Sequence, residues 1–172
     1  MYIEQTAQSL KNPRKKQPLK LKDSQAEAKA YALKLLSYRS RSRKELLYKL
    51  KLKGFSETPS KTTINFLEEA GLIDDKALAS ELFSFSTENK HLGKRGIRMF
   101  MTERGISKEL IDKILSKHSF EMEEKAAKEF LDKKLSALQD YPNNVIKRRI
   151  WGMLQRRGFS FDIMSRVIRL IK

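Results

Sequence analysis

The stretch SRKELLYKLKLKGF, residues 42–55, returns twice along the chain, as GKRGIRMFMTERGI at 93–106 and as IKRRIWGMLQRRGF at 146–159. Aligned on the late glycine (Gly54, Gly105, Gly158), each copy has a base just before it (Lys53, Arg104, Arg157) and a large apolar residue just after it (Phe55, Ile106, Phe159). Four residues before the glycine stand Leu50, Met101 and Leu154, and eight before it Leu46, Ile97 and Ile150. Apolar residues four apart share one helix face, so each copy predicts an amphipathic helix. Glycine suits the left-handed residue just past a helix end, and a base in the last turn complements the helix dipole. The basic-glycine-apolar ending therefore predicts a helix stop and not a ligand site. Ten and eleven residues before each glycine, all six residues are basic: Arg43 and Lys44, Lys94 and Arg95, Lys147 and Arg148. In a first turn a cation meets the positive end of the dipole, at roughly 0.3–1 kcal/mol each. A feature that costs stability in three copies points to an anionic partner, with a merely solvated basic face as the plainer alternative.

The flanking residues complete each copy into a three-helix unit. Ser24 with Glu27 makes a capping pattern, and Ala26, Ala30, Leu33 and Leu36 follow at helical spacing to Tyr38. Ser42 with Glu45 makes a second capping box. Thr58-Pro59 predicts the start of a third helix, which Ile64, Phe66 and Leu67 carry to Gly71. The second unit opens on Asp74-Asp75, an N-cap rather than a metal site, because no ligand cluster stands nearby. Thr87–Leu92 is expected to be a polar turn and Ser107 a cap. The third unit opens near Phe120 with a long helix to about Gln139, then a break at Asp140–Asn143. Asn144 is the expected cap of the last signature helix and Ser160 that of the final one. No period-two run with turn signals argues for a sheet. The expected fold is all-α: three tandem three-helix repeats, at 23–72, 73–118 and 119–172, stacked into an elongated, curved array behind a flexible basic arm at 1–22. A unit of this size has a marginal core alone and gains stability from its neighbours.

Bulk properties narrow the partner. The 172 residues hold 37 Lys and Arg against 21 Asp and Glu, a formal charge of +16, and every unit carries an excess of bases. Such a balance speaks for nucleic acid, an acidic protein surface or anionic lipid, not for a fold. There is no cysteine, hence no disulfide framework or thiolate chemistry. No apolar run approaches the ~20 residues that span a bilayer, and the first residues lack the apolar core of a secretory signal. A cytoplasmic protein, with no membrane partner, is expected.

The order and spacing of these residues resemble the bacterial RecX family of recombination regulators. The resemblance covers residues 25–172. It is carried by Ala32, Leu35, Leu36, Arg39, Arg41, Ser42, Glu45 and Leu46, by Lys49-Leu50 with Lys53-Gly54-Phe55, by Gly71-Leu72-Ile73-Asp74-Asp75, by Leu78-Ala79 and by Arg104-Gly105-Ile106. It implies tandem three-helix repeats and a protein that binds the RecA recombinase filament on DNA. Members are understood to lie in the filament groove, restrain its growth and damp its ATPase, strand-exchange and coprotease activities. The chain departs from the family where Lys94 follows Gly93 in place of a frequent proline, and its third unit is the least familiar part.

Twelve bases are the candidate contacts to DNA or the filament: Arg39, Arg41, Arg43, Lys44, Lys49, Lys94, Arg95, Arg98, Lys147, Arg148, Arg149 and Arg156. They would neutralise phosphates of single- or double-stranded DNA with little sequence reading, and arginine forks suit phosphate and carboxylate alike. Trp151, at the place held by Leu47 and Arg98 in the other copies, is expected to pack at the margin of the core rather than stack on bases, and so is Tyr48. No enzyme is expected. Gly93-Lys94-Arg95-Gly96 lacks P-loop spacing, and His91 and His118 have no ligand set around them and read as surface or helix-end residues. No cofactor or metal is implied, and nothing demands more than a monomer. The competing functions are a nonspecific nucleic-acid-binding array without an obligate protein partner, and an adaptor for acidic proteins. A helix-turn-helix reader, a subset of the first, fits poorly, because the third helices are mainly apolar.

Overall fold

The computed structural model describes residues 22–171, so the expected basic arm lies outside the described residues except for Lys22. Nine α-helices follow one another there: α1 (Gln25–Tyr38), α2 (Arg43–Lys53), α3 (Glu57–Glu69), α4 (Asp75–Ser84), α5 (Lys94–Glu103), α6 (Lys108–Leu115), α7 (Phe120–Leu135), α8 (Asn143–Arg156) and α9 (Phe161–Ile168). Among the described residues the only β pairing is an isolated bridge between Lys22 and Phe55. The fold is an all-α helical repeat.

Local signals set the helix ends. Ser24, Ser42, Ser107, Ser119 and Ser160 each accept a first-turn N–H on the side-chain oxygen, and Asp74 accepts two, from Lys76 and Ala77 at 2.8 and 3.0 Å. Such caps contribute typically about 1 kcal/mol each. At the other end Gly54, Gly105 and Gly158 take φ of 92°, 81° and 79°. The next residue's N–H then bonds back to Leu50, Met101 and Leu154 at 3.1, 3.1 and 3.3 Å, the paired-bond ending of a glycine-stopped helix.

The repeat register carries straight into packing. Leu46, Ile97 and Ile150, with Leu50, Met101 and Leu154, are all at 0% exposure. Three hydrophobic clusters share no residue. One joins Ala28, Ala32, Leu46, Leu50, Phe55, Ile64, Leu67 and Ile73. A second is built on Leu78, Leu82, Ile97, Met101, Ile111 and Leu115. The third is built on Phe130, Leu131, Ile150, Leu154, Ile163 and Val167. Each signature helix (α2, α5, α8) thus sits at the centre of its own small core. Ile73, in the residues expected to open the second unit, belongs to the first cluster.

Several local expectations are corrected. Helix α3 starts two residues early, on Ser56, and Pro59 lies buried within its first turn. Helix α8 starts at Asn143 after Pro142, so Asn144 is not its cap and Lys147-Arg148 lies in the second turn, not the first. The polar turn at Thr87–Leu92 is partly helical: α4 runs into a π-helical turn, Phe85–Asn89, where the Ser86 hydroxyl donates to the Leu82 carbonyl at 2.6 Å. Helix α7 gives way after Leu135 to a short 3-10 turn, Ser136–Leu138. Tyr48 is 59% exposed because its position on α2 faces away from the cluster, whereas Trp151 is half-buried and meets Phe161 edge-on at 5.4 Å. His91 and His118 are not surface residues; both are only 4% exposed.

Candidate nucleic-acid interface

The start of each of the first two signature helices abuts the glycine end of the next one. At the first junction the Ser42 hydroxyl donates to the Arg104 carbonyl at 2.7 Å, and the Arg43 N–H donates to Asp75 at 2.9 Å. At the second, the Gly93 N–H donates to the Arg157 carbonyl at 3.0 Å, the Arg95 N–H to Gly158 at 3.2 Å, and the Lys94 N–H to Glu123 at 3.0 Å. The approach is close enough to require glycine. A Cβ on Gly158 would fall 2.1 Å from the Gly96 nitrogen, and one on Gly105 would fall 2.4 Å from the Ser42 hydroxyl. Every inter-unit hydrogen bond among the described residues joins consecutive units, as expected of stacked repeats.

The base before each of these glycines does more than end a helix. Arg104 reaches back to donate to the Ser40 carbonyl at 3.0 Å and approaches Glu45 at 3.7 Å. Arg157 donates to the Lys90 carbonyl and lays its guanidinium 4.2 Å from the centre of the Phe130 ring. Burial lowers the pKa of both arginines. Neither was among the candidate contacts. Only their repetition in the basic-glycine ending marked them, and that pattern alone does not distinguish a helix stop from a junction. The geometry also revises the electrostatic argument. Asp75 and Glu123 sit at the N-terminal amides of α2 and α5, so the positive dipole ends there are already countered by carboxylates.

The twelve candidate bases divide by partner. Arg39 forks onto Glu45 at 3.0 and 2.6 Å, and Arg41 pairs with the same carboxylate while its Nε donates to the Leu35 carbonyl at 3.1 Å. Burial pushes the Glu45 carboxyl up, but hydrogen bonds and charge from Arg39 and Arg41 outweigh it, and the net shift is downward. Glu45 therefore serves these arginines, and Ser42 alone makes the side-chain cap bond of the expected box. Arg43 pairs with Glu68 and donates to Asn65 at 3.2 Å, and Arg98 pairs with Asp112 at 2.5 Å. The other eight, Lys44, Lys49, Lys94, Arg95, Lys147, Arg148, Arg149 and Arg156, have no ion-pair partner among the described residues. Six of them are exposed, and Lys49 and Lys147 are half-buried. Arg149 stacks on Tyr141, 3.9 Å from the ring centre. Lys94 and Arg95 stand at the second junction, Lys44 at the first, and the remaining four arginines and lysines of this set beyond Lys49 all lie on α8, whose own sequence holds no acid.

The two histidines occupy the second junction. The Lys133 ammonium meets Nε2 of His91 at 2.6 Å, and Glu129 lies 3.4 Å from Nδ1. Burial and the Lys133 charge hold the His91 pKa below its ordinary value, against the pull of Glu129. His118 packs edge-on against Phe83 at 5.5 Å with both ring nitrogens unpartnered, and burial lowers its pKa too. Among the described residues no cluster of three or more His, Cys, Asp or Glu could hold a metal ion, and no helix is long and apolar enough to cross a membrane.

Comparison with known proteins fits this architecture. The family model for the first three-helix domain of RecX matches residues 28–67, and that for the third three-helix domain matches residues 122–168. The chain is 30% identical over 148 residues to "Regulatory protein RecX" of Streptomyces coelicolor, covering 86% of this chain and 79% of the relative. It is 32% identical over 146 residues to the protein of the same description from Chlorobium limicola, covering 84% and 89%. The crystal structure of RecX from Lactobacillus salivarius superposes with a TM-score of 0.69 over 86% of this chain and 96% of the other, at 23% identity. With its repeat register, its three small cores and these relatives, the chain belongs to the RecX family of regulatory proteins.

Proposed function

We propose that this protein binds the RecA recombinase filament on single-stranded DNA and restrains its ATPase, strand-exchange and coprotease activities. It acts as a cytoplasmic monomer without enzymatic activity of its own, and it contacts DNA through phosphates. The observation that carries the proposal is the set of eight bases with no ion-pair partner among the described residues, five of which (Lys44, Lys94, Arg95, Lys147 and Arg148) stand at equivalent positions of the three signature helices. Bases without carboxylate partners are free to meet phosphates or acidic side chains, and cations that already have such partners would have to exchange them to take part. The phosphate grip therefore rests on Lys44, Lys49, Lys94, Arg95, Lys147, Arg148, Arg149 and Arg156. Arg39, Arg41, Arg43 and Arg98 contribute by exchange. The functional units are the arm at 1–22 and the three repeats at 23–72, 73–118 and 119–172.

The alternative is a nonspecific nucleic-acid-binding array with no obligate protein partner. Following ATP hydrolysis after adding the protein to RecA preassembled on single-stranded DNA separates the two. Substoichiometric inhibition supports filament binding. Inhibition only when the protein is in excess over all free DNA supports the alternative. No effect together with no DNA binding at low salt refutes both.

A further inference from the structure

Gly152 stands in the interior of α8 without a conformational reason. It is not among the glycines with positive φ. A Cβ built on it meets only Nη1 of Arg156, at an ordinary 3.4 Å. Gly96 on α5 makes the contrast, since a Cβ there would fall 2.1 Å from the Arg157 carbonyl oxygen. Glycine at 96 lets two parts of this chain approach, whereas at 152 no other element comes near. An interior glycine weakens a helix relative to alanine, and the fold gains nothing in return at this position.

Helical spacing places Gly152 between Arg148 and Arg156, with Asn144 and Gln155 beside them and Arg149 at one edge. Ile146, Ile150 and Leu154 occupy the opposite, buried face. Asn144, Arg148, Arg149, Gln155 and Arg156 are all exposed. The three arginines have no acidic partner among the described residues, and α8 contributes no acid of its own. At the same repeat position the first two units carry Tyr48 and Met99, 59% and 56% exposed, whose side chains would stand between the helix backbone and anything laid against it.

We propose that this face of α8 seats the sugar–phosphate backbone of a nucleic-acid strand against the helix, with half-buried Gly152 as the point of closest backbone approach and Arg148, Arg149 and Arg156 as the phosphate donors. The third unit is then where the strand comes closest to this chain. The inference rests on the reading that the unpartnered cations grip phosphate. It adds that close backbone approach, not charge alone, sets the affinity.

The test is Gly152→Ala, read by anisotropy of a fluorescent single-stranded oligothymidylate across a salt series and by thermal melting. The expected result is a melting temperature raised by about 2–4 °C with binding weakened by about tenfold, one charge-assisted hydrogen bond's worth. A second variant, Arg148→Gln with Arg156→Gln, changes only exposed side chains. It should lower the salt slope by about 1.4, two phosphates' worth on a single strand. Unchanged affinity in Gly152→Ala with wild-type binding intact overturns the inference and leaves the phosphate reading standing. Absence of wild-type binding at low salt overturns the phosphate reading itself. If Gly152→Ala melts lower than wild type, the arginine pair decides, and an unchanged salt slope there refutes the site. Displacement of the oligonucleotide by polyglutamate of matched charge, with the same sensitivity to Gly152→Ala, assigns the face to acidic protein and refutes the proposal.

Discussion

Gly158→Ala and Gly54→Ala are the same substitution in the same backbone conformation, and they should not have the same effect. Both glycines are left-handed, at φ 79° and 92°, so each alanine incurs about 1–2 kcal/mol of local strain. Around Gly54 nothing lies within 4 Å of the added Cβ, and the effect stops there. At Gly158 the Cβ would fall 2.1 Å from the Gly96 nitrogen, 2.8 Å from its Cα and 2.9 Å from the Arg95 carbonyl carbon. These are backbone atoms of another unit, and a carbon–carbon contact relaxes only at about 3.5–4 Å. The junction has to open, which breaks the bonds from Gly93 N–H to Arg157 and from Arg95 N–H to Gly158. At about 1 kcal/mol per bond, Gly158→Ala should destabilise by about 3–4 kcal/mol in total, roughly 2 more than Gly54→Ala. Urea unfolding gives the difference. Hydrogen exchange locates it, since the Gly93 and Arg95 amides should lose protection in Gly158→Ala while the α2 amides do not. Equal destabilisation by the two alanines, with Gly93 and Arg95 still protected, would refute the account of how the units stack.

Other perturbations address the charges. Glu45→Gln removes the shared partner of Arg39 and Arg41, so stability should fall by about 1–3 kcal/mol, while affinity for single-stranded DNA rises at low salt because two arginines are released; melting and anisotropy check both. Lys94→Ala with Arg95→Ala should weaken DNA or filament binding and leave the helical circular dichroism unchanged, since only the backbone N–H groups of these residues hold the junction. His91 and His118 both have folded-state pKa values below the ordinary 6.5. Because the unfolded chain binds those protons more readily, stability is full above about pH 6.5 and is lost as pH falls through the folded values. The midpoint of urea unfolding should decline from pH 7 to pH 5, and His118→Phe should flatten part of that decline. Lys133 and Glu129 face His91, and Glu123 and Lys94 act on His118, so the slope reports this junction.

What could be read from the sequence was what repeats within a helix. The spacing of Leu46 and Leu50 from Gly54, and its two echoes, fixed the helix faces, their ends and the three small cores, because burial and capping act over a few residues. Serine caps at 24, 42, 107 and 160 were legible for the same reason. The junctions were not. The contact between Gly96 and Gly158 joins residues far apart in the chain, and no periodicity marks it. Nor could the chain announce that Arg39 and Arg41 would share Glu45, although its i,i+4 spacing from Arg41 was in plain view. The histidines were misplaced because they pack into a junction whose residues the sequence does not mark, although stacking of the units was expected. The start of α8 shifted because Pro142 ends the preceding turn and frees Asn143 to begin the helix.

Affinity for RecA assembled on single-stranded DNA, compared with affinity for the same DNA bare at physiological salt, tests the central claim most directly. Cosedimentation of the protein with each provides the ratio. Binding should be markedly tighter on the filament and weakened there by Arg148→Gln with Arg156→Gln. Equal affinity for filament and bare strand, or filament binding indifferent to those arginines, would contradict the account.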